Sequence, residues 1–147
     1  MRIVVDADAC PVKDILIRIA RERQIPVIMV CDTAHELSDS YSTHITVDKA
    51  RDSADICLAN LLEREDLVVT QDYGVAALAL GKGARALNPM GLEYTNANMD
   101  QLLFERYVGQ KIRRGGGRAG KNKKRTAADD KAFERALLRA VDGKNME

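Results

Sequence analysis

Apolar and polar residues alternate in blocks along the first 90 positions, and the period switches repeatedly between that of a strand and that of a helix. Residues 3–5 (Ile-Val-Val) form a short β-branched run that ends on Asp6. Pro11 then suits the first turn of a helix, and Val12, Ile15, Leu16, Ile19 and Ala20 follow the spacing of one helical face. Residues 27–30 predict a second strand, entered through Pro26, and residues 45–47 a shorter third. Ala54, Cys57, Leu58, Leu61 and Leu62 trace a second helix. Residues 67–70 (LVVT) read as a fully buried strand running into Gln71-Asp72. A short helix over 75–80 closes at Gly81, and a last strand over 84–87 stops at Asn88-Pro89. Short, continuously apolar strands alternating with helices predict an α/β fold with a mainly parallel sheet covered on both faces.

Beyond residue 90 only the helical period remains. Met99, Leu102, Leu103 and Tyr107 form one stripe, and Phe133, Ala136, Leu137, Ala140 and Val141 form another. Thr126 followed three residues later by Asp129 is a capping-box signature for the last helix. The expected organisation is one domain over 1–147. An α/β core over 1–90 leads into C-terminal helices at 91–147, joined by a segment at 111–125.

That segment changes the picture once charge is counted. The chain's net charge is +1, yet residues 1–110 carry −6, residues 111–125 (KIRRGGGRAGKNKKR) carry +8 and residues 126–147 carry −1. An acidic body with a basic, glycine-rich strap suits a partner that is a polyanion, or else the strap is a solvated cationic loop. Gly115, Gly120 and Lys121 approach the spacing of a nucleotide-binding phosphate loop. Asn122 stands where Ser or Thr is required and no strand precedes the segment, so that reading fails. The basic side chains expected to meet phosphates are Arg113, Arg114, Arg118, Lys121, Lys123, Lys124 and Arg125.

Composition adds limits. Aromatics are 4% and tryptophan is absent, so the core must be aliphatic. No apolar run approaches the ~20 residues of a membrane span, and the opening MRIVVDADAC lacks the order of a secretory signal. Three cysteines without a close pair fit a reducing, cytoplasmic setting. Cys10 lies beside the acidic residues but has no histidine partner in its vicinity, so it reads as a small hydrophobe; Cys31 and Cys57 fall in core patterns, and His35 and His44 lack ligand spacing.

Five aspartates carry the candidate chemistry. Asp6 ends the first strand, Asp72 follows the fourth, Asp8 lies just after the first, and Asp52 and Asp55 open the second helix. Functional residues of open parallel sheets collect outside the carboxyl ends of the strands. Two unit charges ~4 Å apart repel by about 4 kcal/mol at an effective dielectric near 20, so a cluster of this kind asks for a cation such as Mg²⁺ or Mn²⁺. Two such ions promote phosphodiester cleavage. Asp6, Asp55 and Asp72 are the expected catalytic ligands, with Asp8 and Asp52 in support. The plainer alternatives are a helix cap for Asp8 or Asp52 and ordinary first-turn charge for Asp55. For Asp6 and Asp72, a carboxylate at the end of a buried strand is costly unless partnered. Thr70 and Gln71 line the same edge or serve the structure alone.

These residues also carry a resemblance. DADACPVK (6–13), RDSAD (51–55), VVTQDYGVA (68–76), LNPMGLEYT (87–95) and the glycine-rich tail toward Phe133 resemble the YaiI/YqxD family of bacterial proteins over nearly the whole chain. That family is regarded as PIN-like, similar to metal-dependent ribonucleases. The resemblance implies a three-layer α/β/α sandwich and points toward a metal-dependent phosphodiesterase acting on RNA; the lack of a long apolar run leaves no expected membrane partner. Two other functions remain open. VVDADA also fits a haloacid-dehalogenase-like phosphatase using Asp6 and Asp8, with Thr33 as phosphate-binding hydroxyl and Asp72 on Mg²⁺, though no lysine stands just before the last acid. A non-catalytic RNA-binding module is the third.

Overall fold

The protein is described here by a computed structural model covering residues 1–32, 39–48, 54–116 and 124–143. Its centre is a six-stranded sheet of β1 (Ile3–Asp6), β2 (Val27–Asp32), β3 (Thr43–Val47), β4 (Leu67–Val69), β5 (Arg85–Leu87) and β6 (Glu93–Tyr94), in the order β3-β2-β1-β4-β5-β6. The first five are parallel, with Val4 opposite Ile28 on one side and Val68 on the other, and β6 runs antiparallel to β5. The helices are α1 (Lys13–Glu22), α2 (Ala54–Leu61), α3 (Tyr73–Gly81), α4 (Asn96–Arg114) and α5 (Ala127–Val141).

The period-2 alternation of the strands divides the core in two. Ile3, Val5, Leu67, Val69 and Leu87 pack with Leu16 and Ile19 of α1 and Phe133 and Leu137 of α5. Val4, Val68 and Ala86 face the opposite way and pack with Leu58, Val75, Ala79 and Met99 from α2, α3 and α4. Each fully buried Leu, Ile or Phe contributes about 1.5–3 kcal/mol, so short strands suffice because both faces are covered. This is the three-layer α/β/α sandwich with a mainly parallel sheet. From β1 the chain crosses through α1 to β2, then on to β3, and returns to pair β4 on the far side of β1. The order therefore reverses between β1 and β4, and a crevice opens at their carboxyl ends.

Several local features depart from the sequence reading. Pro11 sits in a turn before α1 rather than in its first turn, because a 3-10 turn at Ala7–Ala9 precedes it; α1 begins at Lys13 with Val12 as an N-cap that supplies no side-chain bond. Asp8 lies in that 3-10 turn and does not cap α1. α3 starts two residues earlier than its apolar run, at Tyr73. The basic segment is helical as far as Arg114, whose last turn with Lys111 and Arg113 places cations at the negative end of the helix dipole. The α4 stripe also packs only at its start. Met99 is buried and Leu102 half-buried, whereas Leu103 and Tyr107 are exposed together with Phe104, Val108 and Ile112. α5, by contrast, docks through all of Phe133, Ala136, Leu137 and Ala140. Its capping box is formed, with Thr126 and Asp129 each accepting the other's backbone N–H.

One polar anchor holds the start of the sheet. Asp66 is buried and accepts from Arg2 Nε (3.1 Å) and Nη2 (2.7 Å) and from the Glu63 amide (2.8 Å). Burial alone would push this carboxyl up; the Arg2 and backbone hydrogen bonds outweigh it and hold it below the usual carboxylate value. Asp66→Ala is expected to cost about 2–4 kcal/mol in urea denaturation, since it strips a half-buried guanidinium of its bidentate partner. The stabilisation has a definite pH sign. A depressed carboxyl contributes fully above its unfolded pKa and loses that contribution as pH falls through the folded value. The gap between wild type and Asp66→Ala should therefore narrow in acid.

Candidate functional site

The crevice at the β1–β4 switch is organised by Thr70, which follows β4 and is 2% exposed. Its hydroxyl accepts from the Asp72 amide (3.0 Å) and donates to Asp6 Oδ2 (3.2 Å), so the rotor has one orientation. The backbone of Thr70 is fixed as well, with its N–H on the Leu87 carbonyl and its carbonyl receiving the Tyr94 hydroxyl. Asp6 thus leaves the end of β1 half-buried, with one oxygen on Thr70. Burial pushes its carboxyl up, the Thr70 bond partly offsets this, and the charges of Asp55, Asp8 and Asp72 push it further up.

Asp72 is the N-cap of α3. Its Oδ1 accepts from the amides of Gly74 (2.7 Å) and Val75 (3.1 Å). This answers the cost of a carboxylate after a buried strand: the partner is the positive end of a helix. The α2 carboxyl of Asp55 meets Asp72. Burial, the Asp72 charge and a hydrogen bond between the two carboxyls all raise it. The fold therefore brings Asp6, Asp8, Asp55 and Asp72 to one edge, within electrostatic reach of each other. Asp52 lies outside the described residues, as do Thr33 and His35.

Whether this edge suits a divalent cation depends on its donor set. All donors are hard oxygens, and the Asp72 charge that raises the Asp55 carboxyl is the kind of repulsion that a cation between them would relieve. Among the described residues, however, no three His, Cys, Asp or Glu side chains are placed to hold a metal ion. Mg²⁺ does not need such a cage: it commonly takes one or two carboxylates, keeps several waters and shares substrate phosphates. The residues fit an ion of that kind.

Beside the carboxylates runs a groove of about 610 Å³ lined by Gln71, Asp72 and Tyr73 on one side and Glu105, Arg106, Gly109 and Arg113 of α4 on the other. Arg106 lies over the Tyr73 ring, 5.9 Å from its centroid, which pre-positions the guanidinium at the wall. Of the basic residues singled out from the sequence, Arg113 lines this groove. Arg114 and Lys124 are exposed. Arg125 is instead half-buried and paired with Asp130 at 2.7 Å, in a second cavity. Arg118, Lys121 and Lys123 lie outside the described residues, as do Gly120 and Asn122.

Arg106 and Tyr73 escaped the sequence reading. Arg106 stands seven residues before Arg113, two helical turns on the same face, but an isolated arginine among Glu105 and Tyr107 carries no charge-run signal. Cys10 and Cys31 are buried, as expected of small hydrophobes, and burial pushes the Cys10 thiol up; Cys57 is half-buried at the margin of the core. His44 is held by Asp39 and Ser42, in a local structural role. No helix among the described residues is long and apolar enough to cross a membrane.

Comparison with known proteins agrees with the motifs. Residues 4–143 match the family model described as "Uncharacterized BCR, YaiI/YqxD family". The chain is 65% identical over 138 residues to a UPF0178 protein of Ruminiclostridium cellulolyticum, covering 94% of this chain and 90% of that one. It is 56% identical over 140 residues to a UPF0178 protein of Lachnoclostridium phytofermentans (93% and 94% covered) and 52% identical over 141 residues to one of Clostridium kluyveri (96% and 93%). No solved structure matches. With the family model and these relatives each spanning nearly all of it, the chain belongs to the YaiI/YqxD family.

Proposed function

We propose that the protein is a divalent-metal-dependent nuclease acting on RNA. The observation that carries this reading is the meeting of Asp6, Asp55 and Asp72, from β1, α2 and α3, at the edge of a groove whose far wall bears Arg106 and Arg113. Carboxylates alone would repel a phosphate, and arginines alone would only bind one. A groove with both suits a phosphodiester that bridges them, its backbone charge on the α4 wall and its scissile phosphate toward the acids.

One or two of Asp6, Asp55 and Asp72 would hold Mg²⁺ or Mn²⁺ directly, the remaining acids, with Asp8 and Asp52, supporting it electrostatically. The ion, when bound, lowers the pKa of a water and neutralises charge on the phosphate. The chain's own residues do the positioning. Thr70 fixes the Asp6 carboxyl, and the α3 amides fix one oxygen of Asp72. Arg106, braced on Tyr73, and Arg113 orient the strand.

The test is Mn²⁺-dependent hydrolysis of an end-labelled single-stranded RNA, with calorimetric Mn²⁺ titration of metal-stripped protein. Asp72→Asn is an informative variant because asparagine still caps α3 through its side-chain oxygen. Wild type is expected to bind Mn²⁺ and cleave, and Asp72→Asn to stay folded and do neither well. Arg106→Gln with Arg113→Gln should weaken RNA binding and flatten its log–log salt dependence by roughly 0.7 per charge removed. A wild type that neither binds Mn²⁺ nor cleaves any RNA overturns the reading, as does full activity in Asp72→Asn.

A further inference from the structure

A second cavity, of about 290 Å³, lies next to the groove and shares Gln71 and Tyr73 with it. Its other walls come from segments far apart in sequence: Pro11 before α1, Pro89 and Met90 in the β5–β6 turn, and Arg125 before α5. The wall is largely apolar: two proline rings, a thioether and the Tyr73 ring, itself held edge-on against the buried Tyr94 at 5.9 Å. The polar members of the lining are Gln71, Asn88 and Arg125, of which Arg125 is the charged one. Its Nε donates to Asp130 Oδ1 (2.7 Å), its Nη1 meets the weak thioether acceptor Met90 Sδ (3.6 Å) on the cavity wall, and its buried Nη2 has no hydrogen-bond partner among the described residues. A guanidinium whose cavity-side nitrogen reaches a thioether is underpaired, and a ligand oxygen or ring nitrogen there is a stronger acceptor than sulfur.

We infer that this cavity is a nucleobase subsite: one base of a single-stranded RNA enters it, lies against the Tyr73 and Pro89–Met90 walls, and accepts a hydrogen bond from Arg125 Nη1, in place of the Met90 thioether, through a carbonyl oxygen or ring nitrogen. The inference rests on the groove being an RNA site and names how that strand is read. Three features support it. The volume lies at the small end of ligand cavities and admits one ring system rather than a large ligand. Flat apolar and aromatic walls with a guanidinium are the surfaces on which proteins receive unstacked RNA bases. The shared residues Gln71 and Tyr73 make the cavity continuous with the groove, so a base seated here belongs to a nucleotide adjoining the phosphate at the carboxylates. Inorganic phosphate would satisfy Arg125 but leave the proline, methionine and tyrosine walls without a partner.

The experiment is done in EDTA, where no metal-dependent step contributes. UMP, CMP, GMP and AMP, with ribose 5-phosphate and inorganic phosphate as comparators, are titrated into isotope-labelled protein and followed by NMR at the amides of Gln71, Tyr73 and Arg125. At least one nucleotide is expected to shift these amides, and the comparators to bind at least ten-fold more weakly. Arg125→Gln should weaken the nucleotide at least ten-fold. Because Arg125 also pairs with Asp130, a second variant guards against a folding effect: Met90 is half-exposed, and Met90→Glu places a carboxylate where it occupies Arg125, with the same expected loss. Absence of any nucleotide shift at millimolar concentration overturns the inference. So does equal binding of ribose 5-phosphate, or unchanged affinity in both variants. Nucleotide binding in EDTA without any Mn²⁺-dependent cleavage would remove the nuclease and leave the base subsite standing; cleavage without nucleotide binding would do the reverse.

Discussion

Gly91→Ala is expected to destabilise the protein by about 3–4 kcal/mol, lowering its melting temperature by roughly 6–16 °C for a chain of this size. Two independent demands meet at this residue. Its φ is +92°, in the region where a β-carbon is strained. A Cβ there would also stand 2.7 Å from the carbonyl carbon and oxygen of Ala132 and 3.1 Å from the Phe133 amide, all in the backbone of α5. The turn cannot move away easily. Asn88 Oδ1 holds the amides of Met90 and Leu92, and the Asn88 amide is bonded to the Leu92 carbonyl. The strain must pass to α5, whose Phe133 and Leu137 are fully buried against the sheet. Gly81→Ala is the control. Gly81 lies in the last turn of α3 with open space around its Cβ position, and alanine there should be neutral or stabilising by up to about 1 kcal/mol. Parallel denaturant curves of the two variants separate a general effect of removing glycine from the close approach at residue 91.

The same turn shows where sequence reading succeeds and where it stops. Runs as short as LVV and the helical stripes around Leu16 and Phe133 were legible because burial on both sheet faces leaves an apolar pattern in the chain itself. β6 was not, since Glu93 and Tyr94 offer no periodicity; the strand exists because Arg85 pairs with Glu93 and Tyr94 reaches the Thr70 carbonyl. The order of strands is likewise invisible locally, although it decides which strand ends face each other. At the candidate site, the types and approximate places of Asp6, Asp55 and Asp72 were readable from strand ends and a helix start. The cap made by Asp72 was hidden because Tyr-Gly is a weak helix opening, so the residue read as a strand terminus. Arg106 gains its position only from the way α4 crosses α3, which brings residues 33 apart into contact over Tyr73. Side chains on one element leave a pattern in sequence; those that meet across elements do not.

Asp6→Asn should separate stability from function and do so with opposite signs. Burial and the neighbouring acids raise the Asp6 carboxyl in the folded state, so its charge is destabilising at neutral pH. Asparagine removes that charge, keeps an oxygen for the Thr70 hydroxyl and is nearly the same size. In EDTA at pH 7 the variant is expected to be more stable than wild type, by about 0.5–2 kcal/mol. The pH sign follows from linkage. A carboxyl with a raised folded pKa binds its proton more tightly when folded, so wild type gains stability as pH falls through that value and the variant does not. The two melting curves should therefore converge in mild acid. Mn²⁺ should reverse their order. A ligand bound only by the folded state at 100 times its Kd adds about 2.7 kcal/mol, available to wild type and lost to a variant missing a ligating carboxylate. RNA hydrolysis should fall by more than about 100-fold, beyond the loss typical of residues that only support a metal ligand. Thermal melts in EDTA and in Mn²⁺, beside the cleavage assay, read all three effects on one preparation. If Asp6→Asn is the less stable protein in EDTA, Asp6 is a structural acid whose interactions outweigh its burial. If it is more stable yet Mn²⁺ stabilises both proteins equally, the acids at this edge repel one another for a purpose other than holding a cation.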